Sequence, residues 1–557
     1  MSYDYDLGSY SRTITTSSRE AQLWFDRGLI WTYGFNHDEA VYCFRQAVEA
    51  DPDCAMAHWG IAYAIGPNYN KPWEAFGGKE VANALKTAFE ETNLAVSLSS
   101  SCTRAERDLI AALQRRYPQT QPLDDMMPWV DDYADAMRDV YREHSDDSDI
   151  ASLFAEALMN RTPWSLWDLT LGEPADSADT VEARAVLEGA MDHIAHCGEP
   201  PHPGILHMYI HLMEMSPFPE QALRAADQLR GFAPHSGHLQ HMATHIDVLC
   251  GDYLNVVNWN ERAIQADRPY LEARGPFNFY TMYRCHNYHF KIYGAMFLGQ
   301  FGPAIETARA MQEVIPEQLL RMESPNMADW LEAFVPIDQH VLVRFGKWEE
   351  ILEQDLPEDR ALYCVTTATM RYARAIALAT LGRTDEAVAE AAEFDRAYAL
   401  VPETRYQFNN PSRDILEIAQ EMMRGEIAYR QGEFDAAFAH LRHAVELDDH
   451  LHYDEPWGWM QPVRHALGAL LLEQGQVEQA LDVYRADLGY DSQVSRPRQH
   501  LDNVWSLSGY VECLERTGQE ELAGVARQRL NLAQARADTT VQASCFCRLD
   551  VEEECCD

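Results

Sequence analysis

The sequence predicts an all-α fold of antiparallel helix pairs repeated along the chain, and three observations carry that reading. The chain has 557 residues, beyond the ~250–300 at which one hydrophobic core stops growing, so it is several domains or a repeat array. Small residues, large apolar residues and prolines return at a period of about 34 residues. Period-two strand patterning is almost absent. With 46% apolar and 11% aromatic residues, the composition excludes a disordered chain.

The first repeat shows the physics. In residues 21–54, Trp24, Gly28, Ala40, Phe44, Ala47 and Pro52 fall at positions 4, 8, 20, 24, 27 and 32. Gly28 and Ala40 are small where two helices cross, the large residues fill the gap, and Pro52 stops the second helix. This pattern resembles the tetratricopeptide repeat, and it implies a tetratricopeptide-like helix-pair superhelical solenoid. The frame recurs at 285–318 (Gly299, Phe301, Ala304, Pro316), 368–401 (Ala375, Leu378, Gly382, Ala387), 418–451 (Gly425, Gly432, Phe434, Ala437, Leu441, Ala444) and 461–494 (Gly468, Leu471, Gly475, Ala480, Tyr484). Weaker units fall at 203–236 (Ala222, Pro234), 237–270 (Gly251, Tyr253, Ala263), 332–351 (Gly346, Trp348) and 504–537 (Gly518, Ala523). Between 66 and 202 the frame blurs into irregular helices at 80–97, 103–115, 127–143, 149–160 and 180–197, separated by Gly-Pro, Gly-Gly and Pro-Pro turns. The expected organisation is an N-terminal extension (1–20), one superhelix (21–540) with histidine-bearing repeats at 203–300, a polar inserted loop at 487–503, and a loose acidic tail (541–557).

The balance of 88 acidic residues against 45 Lys and Arg gives a charge of −43. Such a field repels phosphate backbones and excludes nucleic acid as the main partner. The first residues carry Asp4 and Asp6 and no apolar core, unlike a secretory signal, and no stretch reaches the ~18 apolar residues of a membrane span. The expected location is cytoplasmic, with no membrane partner. Of 12 cysteines, Cys43, Cys54, Cys250, Cys285, Cys364 and Cys513 lie within helical patterns and read as reduced thiols. Cys545, Cys547, Cys555 and Cys556 cluster in the tail, where they fray, oxidise or bind a soft metal.

Nine of the 21 histidines fall between His202 and His289, and their placement carries chemical content. On the repeat frame, His207, His211 and Glu214 take positions 5, 9 and 12 of one first helix. His238, His241 and His245 take positions 2, 5 and 9 of the next, and His286, His289 and Tyr293 repeat that spacing on the third. Steps of three and four residues return to one helix face, and in tetratricopeptide arrays that face lines the concave groove. Packed helices lie roughly 8–10 Å apart, so imidazoles from two neighbours can meet one ion. The expected ligands are His207, His211, Glu214, His238, His241 and His245. His286, His289 and Glu156 supply an outer shell or a second ion. Neutral imidazole is the ligand form, and a histidine-rich set with one carboxylate suits Fe, Cu, Zn or Mn. The HExxH helix of zinc proteases is missing, since Met208 and Met242 follow His207 and His241. His211-x-x-Glu214 is a reversed relative of the Glu-x-x-His pairing of di-metal bundles. No Walker-type phosphate loop is present.

The segments HPGILHMYIHLMEMS (202–216), HSGHLQHMATHI (235–246) and HNYHF (286–290) resemble a widespread group of bacterial tetratricopeptide proteins carrying HPGxxHYxIHxxE, HxxHMPSHI and HNxHF. GFNHDEA (34–40), AMAHWGIAYAIGPNYN (55–70), the stretch 155–168 and YDEPWGWMQPVR (453–464) extend the resemblance over nearly the whole chain. It implies a common fold and a common histidine site, and it supplies no reaction. Ala243-Thr244 departs from the group's Pro-Ser, altering the local helix start while both flanking histidines remain.

Other residues have two readings each. Tyr453-Asp454-Glu455-Pro456 with Trp457 and Trp459 caps a helix, or closes the groove with Arg464 gripping an anion. Asn68 and Asn70 satisfy their own turn, or join Tyr293 and Arg464 in a substrate groove. Trp164, Trp167 and Tyr63 are core, or wall a pocket. The leading expectation is a metal-dependent enzyme, an oxidoreductase slightly ahead of a hydrolase, acting on a small molecule or peptide in the groove. The alternatives are a non-enzymatic scaffold binding a peptide or protein partner, and a metal carrier.

Overall fold

The computed structural model describes residues 3–550. It is all-α in architecture. Among the described residues, sheet is confined to two antiparallel pairs of two-residue strands, Trp167–Asp168 with Glu173–Pro174 and Tyr406–Gln407 with Asn410–Pro411, plus two isolated bridges. No helix among the described residues is long and apolar enough to cross a membrane. The chain divides into two compact units. The first is Met1–Ile246 with Arg262–Arg284, and the second is Asp247–Glu261 with Cys285–Asp557.

The repeat signature has the same physical basis in both units. In the first, the Phe44 ring is wedged against Gly28 of its own pair and Gly60 of the next helix, where an added Cβ would lie 2.6 and 2.5 Å from ring carbons. In the second unit, Tyr484 is wedged between Gly468 and Gly509 in the same way, and Leu441 fills that place against Gly425. A side chain at any of these glycines would drive the helices apart.

A second signature closes each first helix. Gly251, Gly299, Gly346, Gly382, Gly432, Gly475 and Gly518, all at position 15 of the frame, have φ between +63° and +80°. The following N–H reaches back five residues, as in Gln300 N to Ala295 O at 2.9 Å and Gln476 N to Leu471 O at 2.9 Å. Glycine adopts this helix-ending conformation without steric cost. In the first repeat the place belongs to Phe35, at φ +55°, with Asn36 N bonded to Trp31 O at 3.0 Å.

The irregular region folds as helices Gly78–Leu98, Arg104–Arg116, Met127–Glu143, Ser148–Met159 and Thr180–Cys197, within a residue or two of the expected bounds. The Arg104 helix opens on a reciprocal cap: Glu106 N donates to Thr103 Oγ1 at 3.3 Å and Thr103 N donates to Glu106 Oε2 at 2.7 Å. The N-terminal extension is strapped to the first unit. Arg12 Nη1 and Nη2 grip Asp147 at 2.7 and 2.9 Å, and Nη1 also reaches Asp149 at 2.7 Å.

Two expectations are corrected. The helix carrying His238, His241 and His245 is not continuous. Gly237–His241 and Ala243–Leu249 are separate helices, and Thr244 Oγ1 donates to His241 O at 2.7 Å across the break. The hydroxyl offers the backbone a partner outside the helix ladder. Nor is the tail loose as far as Asp550. Val541, Ser544 and Cys547 are buried, and Cys545 and Cys547 form a disulfide. Cys555 and Cys556 lie outside the described residues.

Candidate metal centre

His207, His211, Glu214, His238, His241 and His245 all lie in the first unit, and each is at most 1% exposed. The helix that carries His207, His211 and Glu214, Pro203–Glu214, is buried on every side. Pro203 sets its first turn. His202 caps it, taking Ile205 N on Nδ1 at 3.2 Å, while its Nε2 lies 3.1 Å from Asp149 Oδ1. Gly204 lets the helix approach the Tyr33 ring, where an added Cβ would come within 2.6 Å.

The hydrogen bonds fix which ring nitrogens carry protons. His207 Nδ1 lies 2.6 Å from Tyr33 O. A carbonyl only accepts, so Nδ1 is the N–H and Nε2 keeps its lone pair. His211 Nδ1 lies 2.8 Å from Glu214 Oε1, and His245 Nδ1 bonds Glu214 Oε2. These two rings therefore also carry their lone pairs on Nε2. The aimed atoms converge: His207 Nε2 is 3.1 Å from His238 Nε2, and His245 Nε2 is 2.6 Å from His241 Nε2. One ring nitrogen each of His207, His211 and His238 lie within 4.8 Å of one another, and so do ligand atoms of His211, Glu214 and His245.

Burial keeps His207 and His211 neutral. It lowers His207 to about 3 and His211 well below the ordinary imidazole range. The walls are aromatic. The Phe35 ring lies 4.5 Å from His207, 5.5 Å from His238 and 6.0 Å from His211. Tyr69 lies 5.0 Å from His211 and against Trp164, and Tyr283 lies edge-on to His238 at 5.0 Å. The Tyr283 hydroxyl is buried with no hydrogen-bond partner. Phe35 was not expected from the histidine pattern. Its signal was a phenylalanine at the place where seven other repeats carry glycine.

Two imidazoles each ~2.0–2.1 Å from one ion place their nitrogens ~3.0–3.4 Å apart for bond angles near 95–110°. The His207–His238 separation of 3.1 Å matches that bite. Each oxygen of Glu214 accepts from an imidazole N–H, of His211 and of His245, an arrangement that orients the rings and raises their basicity.

The remaining candidates have other partners. Glu156 accepts from Tyr63 Oη at 2.6 Å, and burial raises its carboxyl above the usual range. Asn68 Oδ1 accepts from Asn70 N at 2.9 Å, satisfying its own turn. Trp167 Nε1 donates to Leu212 O at 2.7 Å. In the second unit, His286 Nε2 lies 3.9 Å from Glu455 Oε2. His289 is buried beside Phe334 and Phe408 and lowered to about 3 by burial. Tyr293 packs on Phe297 at 4.4 Å. Arg464 is clamped by both oxygens of Asp449 at 2.6 Å, so its charge is already matched. Asp454 accepts from Asn409 N at 3.2 Å and Asn410 Nδ2 at 2.8 Å, pinning the 406–411 hairpin.

No family model and no curated protein matches this chain. Among solved structures it is similar to a chain of the Naa15/Naa10 complex bound to HypK-THB, at 14% identity and TM-score 0.21, covering 92% of this chain and 70% of that one. It is also similar to yeast Tom70, at 12% identity and TM-score 0.26, covering 92% and 99%. The Cut9–Hcn1 hetero-tetramer of the APC/C matches at 12% identity and TM-score 0.23, covering 95% and 96%. The fold assignment rests on the wedge and glycine-cap geometry of the chain itself: this is a tetratricopeptide-like helical-repeat protein.

Proposed function

We propose that the first unit binds a transition-metal ion through the Nε2 atoms of His207, His211 and His238, with the His241–His245 pair beside it and Glu214 orienting two of the imidazoles. The observation that carries this reading is the 3.1 Å approach of two Nε2 atoms inside a fully buried cluster, one of them held as a lone-pair donor by the Tyr33 carbonyl.

The bound ion would act as a Lewis acid or redox centre towards a small molecule or peptide. Among Fe, Cu, Zn and Mn, the imidazole-rich set favours oxidative chemistry with Fe or Cu over hydrolysis. The carboxylate nearest these imidazoles, Glu214, is engaged by two N–H groups and is poorly placed as a general base for water. The chain's own residues supply orientation through Glu214 and Tyr33, and exclusion of water through Phe35, Tyr69 and Tyr283.

X-ray absorption at the metal edge tests the reading. The expected first shell is nitrogen at ~2.0–2.1 Å with the multiple-scattering pattern of imidazole, lost in His211→Ala while far-UV circular dichroism is unchanged. A first shell of oxygen or sulfur alone would contradict it. Turnover assays on the loaded protein then separate an enzyme from a metal carrier.

A further inference from the structure

The second unit holds a disulfide-closed turn of its own chain where a repeat groove holds a ligand: Arg548 N donates to Cys545 O at 3.2 Å, and Cys545 is bonded to Cys547. Positions 5 and 9 of the first helices in the 368, 418, 461 and 504 repeats, the places that carry histidines at 207, 211, 241 and 245, are here Tyr372 and Ile376, Met422 and Glu426, His465 and Ala469, and Ser508 and Glu512. Tyr372, Ile376, Met422 and Glu426 line a pocket whose other wall is Cys545 and Cys547. Across it runs residues 544–549, in neither helix nor strand.

The segment is held chiefly by side chains acting on its backbone. Arg344 Nη1 donates to Ser544 O at 3.3 Å, Arg430 Nη2 donates to Cys547 O, and Leu549 N donates to Glu473 Oε1 at 3.0 Å. Alternate side chains then find specific seats. Ser544 Oγ donates to His465 O at 2.7 Å and meets Tyr484 Oη at 2.6 Å. The Phe546 side chain covers Gly346, where an added Cβ would meet its Cβ at 2.9 Å and its ring at 3.1 Å, and the ring stands edge-on to Trp505 at 5.9 Å. Arg548 forks onto Glu512 at 2.6 and 3.0 Å. Bonds to a peptide's backbone give affinity, and pockets for its side chains give specificity. The bidentate Arg548–Glu512 pair adds geometric selectivity.

We infer that this inner face is a binding site for a peptide turn of the pattern Ser-x-Phe-x-Arg, and that residues 544–548 occupy it as a resident ligand that an incoming peptide displaces. Glu512 selects the basic residue, the Gly346–Trp505 seat selects the aromatic one, and the Tyr484–His465 notch admits only a small hydroxyl residue. The inference does not depend on the histidine centre of the first unit.

A fluorescent peptide of residues 542–550, its two cysteines disulfide-linked, tests it on the full-length chain. The double variant Phe546→Ala/Arg548→Glu, which weakens the resident segment, is expected to bind the peptide at least about tenfold more tightly than the unaltered chain. Adding Glu512→Arg is expected to abolish that binding, and a peptide carrying Glu at the position of Arg548 to recover part of it. Equal binding by the double variant and the unaltered chain, or none by a double variant whose circular dichroism and thermal unfolding are unchanged, would overturn the inference. If the double variant does not fold, hydrogen exchange on the unaltered chain decides. Excess peptide is expected to accelerate exchange at 544–549, and unchanged protection overturns the proposal. Concentration-dependent dimerisation with no competition from free peptide would also overturn it, assigning the segment to a second copy.

Discussion

His207 and His465 occupy the same place in their repeats, position 5 of a first helix, and each is 1% exposed. What meets their nitrogens differs. His465 is saturated: Arg344 Nη2 donates to its Nδ1 at 2.6 Å, and its Nε2 donates to Asp487 Oδ2 at 3.0 Å. Asp487 further accepts from His500, Asn503 and Ser506. Burial alone would raise that carboxyl, but His465 and His500 hold it well below the usual range. His207 has one nitrogen on a carbonyl and the other against a second imidazole. His465 is closed by groups of complementary charge, whereas His207 faces its own kind. Residue type and burial alone do not distinguish them; the partner of the second nitrogen does.

The comparison is open to breakage, first at the structural network. Asp487→Ala removes the acceptor shared by His465, His500, Asn503 and Ser506 and leaves the Arg344 cation without its counter-charge. Such a break in a buried pair costs about 3–5 kcal/mol, read as a fall in the denaturation midpoint, with metal content unaltered. Next, a transition-metal salt at a hundredfold excess over its dissociation constant is expected to stabilise the chain by about 2.7 kcal/mol. The corresponding rise in Tm should vanish in His207→Ala/His238→Ala and persist in His465→Gln. A metal-induced rise of equal size in both variants would erase the distinction drawn here.

A smaller effect is expected at Glu214. In Glu214→Gln one imidazole N–H loses its carboxylate, so metal affinity should fall about 10- to 100-fold in a chelator-competition titration while the fold is retained. The smallest effect isolates backbone strain. Phe35→Ala and Phe35→Gly both delete the ring that walls the histidines and should both be destabilising. The left-handed conformation at this position costs a non-glycine residue roughly 1–2 kcal/mol, so the glycine variant should be the more stable by about 1 kcal/mol. Equal stability would mean that Phe35 carries no strain.

Much of the fold was legible because the repeat residues are themselves the physical constraint. Gly468, Tyr484 and Gly475 are a contact, its filler and a helix stop, and each reads at its spacing without further information. The histidine positions were legible for the same reason, since helical periodicity fixes which side chains share a face. Three things were not. Glu214 reads as a ligand from its spacing, but only the three-dimensional placement of His211 and His245 shows both of its oxygens committed to N–H groups. The break at Met242 depends on a single Thr244 hydroxyl competing for the His241 carbonyl. The order of the 541–550 segment arises from contacts with Arg344, Arg430, Glu473 and Glu512, far away in sequence, so its local sequence gave no sign of it.

The central claim is that the imidazoles of the first unit converge on an ion. It is tested most directly by elemental analysis of the full-length chain, purified without a histidine tag and then incubated with Fe, Cu, Zn and Mn salts and desalted. The account predicts a stoichiometric transition metal in the unaltered chain and in His465→Gln, and its loss in His207→Ala/His238→Ala with circular dichroism unchanged. A folded, unaltered chain that retains no metal under any of these conditions would contradict it.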